Sequence, residues 1–273
     1  LAIAETAIAS EVGVPHILAI HQRLMAGDHL RRIAGKLRTT QNWIGGNDYN
    51  PCGADFVPPP PELVAPLLED LCHAINDDLL PPLVQAALVH AQFETIHPFD
   101  DGNGRTGRAL VHVVLRKRGV APRYIPPVSV VLARGRQRYI DGLTRFRGED
   151  VTAWIEQFAG VIDRAATLAE SYVLAVRDLS NRWQAALRAR APDLRADATE
   201  HLMLEFLVAT PVVNSRMLRV ATGRSEPSVH RAVRMLEEAG VLLRVSQGNR
   251  NRIWQVSGLL ELIQQMDEGM TPV

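Results

Sequence analysis

His97-Pro98-Phe99-Asp100-Asp101-Gly102-Asn103-Gly104-Arg105-Thr106-Gly107-Arg108 is the stretch on which the reading of this chain turns. The run Leu83–Ile96, opened by Pro81-Pro82, leads into it. Its small and apolar residues cover most of a helical circumference, as expected of a helix buried in a bundle. A second helix begins near Asn103, continues through Ala109–Arg118 and stops at Gly119. The first-turn N–H groups of that helix have no intrahelical acceptor and point back at the loop. Gly102 and Gly104 let the backbone approach a bound group closely, and the helix dipole favours an anion there. Arg105 and Arg108 share one side of the first turn, and arginine binds phosphate oxygens as a fork. Asp101 sets a carboxylate beside this cradle, which would repel phosphate unless Mg²⁺ bridged the two. His97 is the one group in the loop able to take a proton near neutral pH. Together these features describe a nucleoside-triphosphate site with a metal and a general base.

Singly, each feature is ordinary. A lone histidine at a helix end is commonly a cap or a core residue, and Asp-Gly-Asn-Gly is commonly a turn. A calcium-binding EF-hand is excluded, because a loop starting at Asp101 has Thr106 at its sixth place and no glutamate at its twelfth. A Walker loop is excluded because no Gly-Lys-Ser/Thr follows. The combination resembles the signature of Fic-domain proteins, His-x-Phe-x-Asp/Glu-Gly-Asn-Gly-Arg-x-x-Arg, at every fixed position. The resemblance extends over roughly residues 16–160, through Gly35–Gly46, Phe56–Pro61 and Leu83–Ile96.

That resemblance implies an adenylyltransferase. His97 would be the base that deprotonates a Ser, Thr or Tyr hydroxyl of a target protein, and the hydroxyl would attack the α-phosphorus of ATP. Phe99 would anchor the loop, and Asp101 would carry Mg²⁺. The nucleotide would be held by Gly102, Asn103, Gly104, Arg105, Thr106, Gly107 and Arg108, with the two arginines on the distal phosphates. Arg134 and Tyr139 occupy positions where relatives contact the nucleotide, while Ile140 stands where an aromatic is common. Relatives that transfer phosphate or phosphocholine depart from the cradle glycines, so Gly102 and Gly104 favour nucleotidyl transfer. Removal of AMP, or transfer of another nucleotide, by the same site stays open.

Outside the motif, His16–Met25 reads as a short amphipathic helix. Gly35–Gly46 and Ala54–Val57 read as a β-hairpin flap looped at Asn47–Gly53. On it Thr39, Thr40 and Gln41 offer an exposed edge to which an extended target segment would add as a strand. Pro61 opens a helix over Glu62–Ile75, and Ser129–Arg147 is helical with a break at Gly135. A long helix runs from Thr152 to about Arg190 and is punctuated by Ala191-Pro192-Asp193, where a domain boundary is placed. Residues 1–191 then form the catalytic domain and 192–273 a second one.

The second domain reads as helices Thr199–Val208, Asn214–Ala221 and Ser225–Ala239, followed by β-prone Val241–Val245 and Arg252–Val256. This is a winged helix-turn-helix pattern. The fold class expected is therefore mainly α: a Fic-type helical bundle with a β-hairpin flap, then a small winged-helix domain. Ser228, His230, Arg231 and Arg234 on the third helix, with Arg244, Arg250 and Arg252 in the wing, suit phosphate contact in a major groove. Winged helices also dock proteins or dimerise, so DNA, a protein partner and a homodimer all stay open. A DNA-binding regulator that senses nucleotide through a Fic-like domain is the rival to the enzyme.

Composition narrows the rest. The chain has 273 residues, 47% of them apolar, and 30 basic against 30 acidic residues, so it does not coat nucleic acid or membrane along its whole length. It contains no long uncharged apolar run, so no membrane span is expected. Cys52 and Cys72 are too few for a disulfide scaffold, and a cytoplasmic setting is expected. No Ser/Thr-x-x-x-Glu-Gly/Asn segment, the inhibitory element of many Fic relatives, occurs in Leu1–Gly35. It is expected upstream of this sequence or on a partner.

Overall fold

The computed structural model describes residues 2–27, 31–47, 49–122, 126–246, 248 and 252–270. Its contacts divide the chain into two compact units, Leu1–Ala165 and Ala166–Val273. The division falls inside one long helix, so the second unit takes in that helix's C-terminal part as well as 192–273.

In the first unit, α1 (Ala2–Ala7) and α2 (Val14–Met25) precede α3 (Pro61–Asn76), α4 (Pro82–Ile96) and α5 (Asn103–Lys117). After these come α6 (Val128–Arg134), α7 (Arg136–Arg147) and the start of α8 (Val151–Arg190). Helix α4 is the centre of the bundle. Ala86, Ala87, Ala91, Phe93 and Ile96 on it are fully buried, which suits its lack of a polar face. Buried Gln85 donates its amide to the carbonyls of Ala74 (2.8 Å) and Ile75 (3.1 Å), so it caps the end of α3. Gly107 brings α5 against α4: a Cβ there would lie 2.5 Å from Glu94 Oε1 and 3.1 Å from the Phe93 ring. The break expected at Gly135 separates α6 from α7.

The expected hairpin flap contracts to a single antiparallel bridge, Ile44 with Phe56. Two features stop the ladder. Gly45, Gly46 and Gly53 take positive φ beside the bridge, and Pro58–Pro61 on the returning strand has no N–H to donate. Asn47 Oδ1 instead accepts from the backbone N–H groups of Tyr49 (2.9 Å) and Asn50 (3.1 Å), folding the loop on itself.

In the second unit, α9 (Thr199–Leu207), α10 (Ser215–Thr222) and α11 (Glu226–Glu238) pack together. With them stands an antiparallel sheet of β1 (Val212–Asn214), β2 (Leu242–Arg244) and β3 (Ile253–Val256), in the order β1-β3-β2. Register pairs Val213 with Trp254 and Leu243 with Gln255. Strand β1 and the final helix α12 (Leu259–Asp267) had no counterpart in the sequence reading. Asn214 caps α10, its Oδ1 accepting from the Met217 N–H at 2.9 Å. Ser225 stands at the N-cap of α11 without a side-chain cap bond, its hydroxyl 3.0 Å from that of Ser228. Leu179, Trp183 and Leu187 of α8 join the core of this unit. Among the described residues no helix is long and apolar enough to cross a membrane.

Candidate functional site

The loop 97–102 is held from three sides. Helix α4 ends where His97 adopts the left-handed conformation (φ 49°, ψ 60°), which turns the chain sharply away from the helix axis. Helix α5 starts at Gly102, with φ 80°. A side chain at Gly102 would be strained by that φ and would also lie 3.0 Å from His21 Nε2 and Met25 Sδ. Phe99 is fully buried between these turns. Its N–H donates to Asn103 Oδ1 (2.9 Å), and its carbonyl accepts from Asn103 Nδ2 (2.8 Å) and Asn42 Nδ2 (3.1 Å).

Two buried residues that the sequence reading passed over complete the frame. His21 lies parallel to the Phe99 ring, with centroids 3.8 Å apart and planes 4° apart. Its Nδ1 accepts from the Gly35 N–H (2.9 Å), and its Nε2 is 2.9 Å from the Asp101 carbonyl. A backbone N–H can only donate and a carbonyl can only accept, so His21 is the neutral tautomer protonated on Nε2. Arg38 is 2% exposed. Its guanidinium donates to the carbonyls of His97 (2.9 Å), Thr40 (3.2 Å), Ile96 (3.4 Å) and Pro59, while its own N–H donates to Pro98 (3.0 Å).

A cavity of about 450 Å³ opens beside His97, within the range of small-molecule sites. Glu94 and His97 form one wall, Arg108 of α5 another, and α6–α7 a third through Leu132, Arg136, Tyr139, Ile140 and Arg147. Ile44, Gly45, Asp55 and Phe56 of the flap form the mouth. Arg108 is steadied by Ser129, its Nε donating to Oγ at 3.0 Å. Arg147 lies over the Phe56 ring, 3.6 Å from its centroid.

The residues singled out in the sequence separate into groups here. His97, Arg108 and Tyr139 share the cavity wall. Asp101 at the end of the loop and Arg105 in the first turn of α5 are exposed. Asn103 is buried, and its side chain is committed to Phe99. Thr106 and Gly107 face the interior: the Thr106 hydroxyl donates to the Gly102 carbonyl (3.0 Å), and Gly107 is the contact with α4. Arg134 is exposed and off the wall, where Arg136 stands instead. Thr39, Thr40 and Gln41 are exposed but lie outside any strand, and the Gln41 amide is tied to the Pro58 carbonyl at 2.9 Å. Arg250 falls outside the described residues.

Protonation in this region follows burial. Burial lowers the His97 pKa to about 4; Arg147 and Arg38 add to the fall, while the Glu94 backbone and Asp101 oppose it. His97 is therefore neutral at pH 7. His90, fully buried and 3.1 Å from the Tyr139 hydroxyl, is also lowered to about 4, as is His112. Burial raises Glu94 to about 7, against the pull of Arg108 and Arg147.

These shifts set a pH dependence of stability. Each imidazole binds its proton near 6.5 when unfolded and near 4 when folded. The unfolded chain therefore holds more protons in that window, and stability falls as pH drops from 6.5 towards 4. Glu94 acts oppositely, losing stability as pH rises from about 4.5 to about 7. Three imidazoles outweigh one carboxyl, so the urea midpoint is expected to be lower at pH 5 than at pH 7. A higher midpoint at pH 5 would contradict this account of burial.

Residues 12–115 match the model of the Fic/DOC family. The chain is 34% identical over 119 residues to protein adenylyltransferase fic-1 of Caenorhabditis briggsae, covering 42% of this chain and 22% of that protein. It is 31% identical over 173 residues to protein adenylyltransferase Fic of Drosophila grimshawi, covering 62% and 32% respectively. Adenylyltransferases are nucleotidyltransferases. The chain spans about a third or less of the length of these curated relatives. Among solved structures, a Fic family protein from Desulfovibrio desulfuricans G20 superposes with TM-score 0.52 at 23% identity, over 94% of this chain and 73% of that one. A Fic domain containing signaling protein from Bacteroides thetaiotaomicron gives 0.50 at 23% identity, over 62% and 66%. At that identity the likeness is one of fold.

Proposed function

We propose that this chain, whose residues 12–115 match the Fic/DOC family, is a protein adenylyltransferase that moves AMP from ATP to a hydroxyl side chain of a target protein. The observation that carries the reading is the placement of a neutral imidazole, His97, on a cavity wall shared with Arg108 of α5. A target hydroxyl loses its proton to His97 as its oxygen bonds to the α-phosphorus, and the bond to the β-phosphate oxygen breaks to release pyrophosphate. Arg108 holds phosphate oxygens from the cavity side and Arg105 from the solvent side. The backbone around Gly102 and Gly104 receives the α-phosphate, while the Asn103 side-chain amide locks Phe99. The work is positioning and charge stabilisation.

Asp101 is the carboxylate at a fixed position of the motif, beside Asp100, and no cluster of three metal-ligating side chains occurs among the described residues. That donor set fits Mg²⁺, which is commonly held by one or two carboxylates together with substrate phosphates. Mg²⁺ would supply charge neutralisation on the phosphates. Exposed Thr39 and Thr40 leave the flap accessible to a target segment. For the second unit we propose the winged helix-turn-helix reading, supported by helices α9–α11 and the hairpin of β2 and β3.

The reading is tested by incubating the chain with Mg²⁺ and ATP labelled at either the α or the γ phosphate, alone and with a cell lysate. Protein-bound label is expected from the α position only. Label from γ would mean phosphate transfer, and no label from either would end the proposal.

A further inference from the structure

The second unit is nearly neutral, with 13 arginines against 12 acidic residues, but it gathers its positive charge in one stretch. Val212–Val256 holds eight arginines against three glutamates, with no lysine or aspartate, in a chain of zero formal net charge. Helix α11 sorts these residues. Val229, Ala232, Val233 and Leu236 face inward and are buried. Arg231 and Arg234, one turn apart, face outward and are exposed, as is Arg216 on α10. Among the described residues the side chains of these three arginines make no hydrogen bond or ion pair.

The acidic groups are disposed of elsewhere. Glu237 accepts from Trp254 Nε1 at 2.8 Å, and Glu238 lies at the far end of the helix. Glu226 is 3.9 Å from both Arg219 and His230. Helices α10 and α11 are joined by Gly223-Arg224-Ser225, with Gly223 at φ 65°, a tight turn that is exposed together with Glu226 and Pro227. The β2–β3 hairpin adds exposed Arg244 and half-buried Arg252.

We infer that this unit binds double-stranded DNA, with the Arg231/Arg234 face of α11 in the major groove and Arg216 and the hairpin arginines on the backbone. Unpaired guanidinium groups on an outward helix face match the two acceptors on the guanine edge and the phosphate oxygens alike. Helix shape selects the duplex type. The B-form major groove is about 12 Å wide and admits a helix, whereas that of A-form RNA is too narrow. This inference does not depend on the transferase reading, because it uses no residue of the first unit.

The test is fluorescence anisotropy of a labelled DNA duplex of about 30 base pairs with the full chain, at rising salt. Binding is expected at about 50 mM salt, weakening on a log–log plot with a slope of about −3 to −5. The double variant R231E/R234E, which changes only exposed positions, should bind at least about tenfold more weakly. His97→Ala should bind like the unaltered chain. Absence of binding at low salt, equal binding by R231E/R234E, or equal binding to an RNA duplex would each overturn the inference. So would sedimentation showing that this face self-associates while no duplex is bound.

Discussion

His97→Ala is expected to lower AMP transfer by about 10²–10⁴-fold, the usual contribution of a general base. ATP affinity, measured by calorimetry, should stay within about threefold, because a group acting on the hydroxyl proton adds little to ground-state binding. The geometry gives reasons for both halves. The imidazole stands on the cavity wall, while the backbone and guanidinium groups proposed to bind phosphate belong to α5. The left-handed conformation at position 97 is set by the turn itself, and alanine keeps the N–H bond to the Phe93 carbonyl and the carbonyl that accepts from Arg38. Burial and the nearby cations Arg147 and Arg38 hold the imidazole pKa near 4. Transfer by the unaltered chain should therefore be nearly flat between about pH 6 and 8 and fall only under more acid conditions, since His97 must be unprotonated to act. Transfer by His97→Ala at more than about a tenth of the normal rate would remove His97 from the role of base.

The parts of this fold that were legible in advance are those written in periodicity and punctuation. Pro81-Pro82 and the all-round apolar run mark α4, and the glycine at 135 marks the break between α6 and α7. Strand β1 was not legible because Val212–Asn214 is three residues long and its partner is Trp254, far along the chain. The candidate site divides in the same way. Residue types announced the loop, but a motif does not say which side of its helix each residue occupies. Burial does: Asn103, Thr106 and Leu110 form one buried stripe, with Arg105 and Arg108 together on the opposite side. Arg134, a site residue by resemblance of position, ends α6 and is exposed, outside the cavity lining. The interruption at Gly135 resets the helical phase and brings Arg136 to the wall. His21 and Arg38 were invisible for a different reason. Polar residues are expected at the surface, and nothing in a linear pattern says that one guanidinium will meet four carbonyls from three segments.

That role for Arg38 leads to the second large effect expected. Removing the side chain in Arg38→Ala leaves the carbonyls of His97, Thr40, Pro59 and Ile96 without their donor, around a guanidinium that is itself buried. A buried acceptor stripped of its partner costs about 1–3 kcal/mol. Even if water re-satisfies some of the four, the loss should reach about 3 kcal/mol, visible as a lowered urea midpoint. Transfer should fall with it at temperatures where the chain is still folded, because Arg38 is what joins the His97 turn to the flap and to Pro59. Arg38→Lys separates charge from shape. Lysine restores the positive charge but not the planar fork, and a single ammonium cannot face four acceptors spread around a guanidinium plane. It should therefore recover part of the stability and little of the transfer. If Arg38→Lys transferred AMP as fast as the unaltered chain, the fork would have no part in aligning His97, and the loop would owe its shape to His21, Asn42, Phe99 and Asn103.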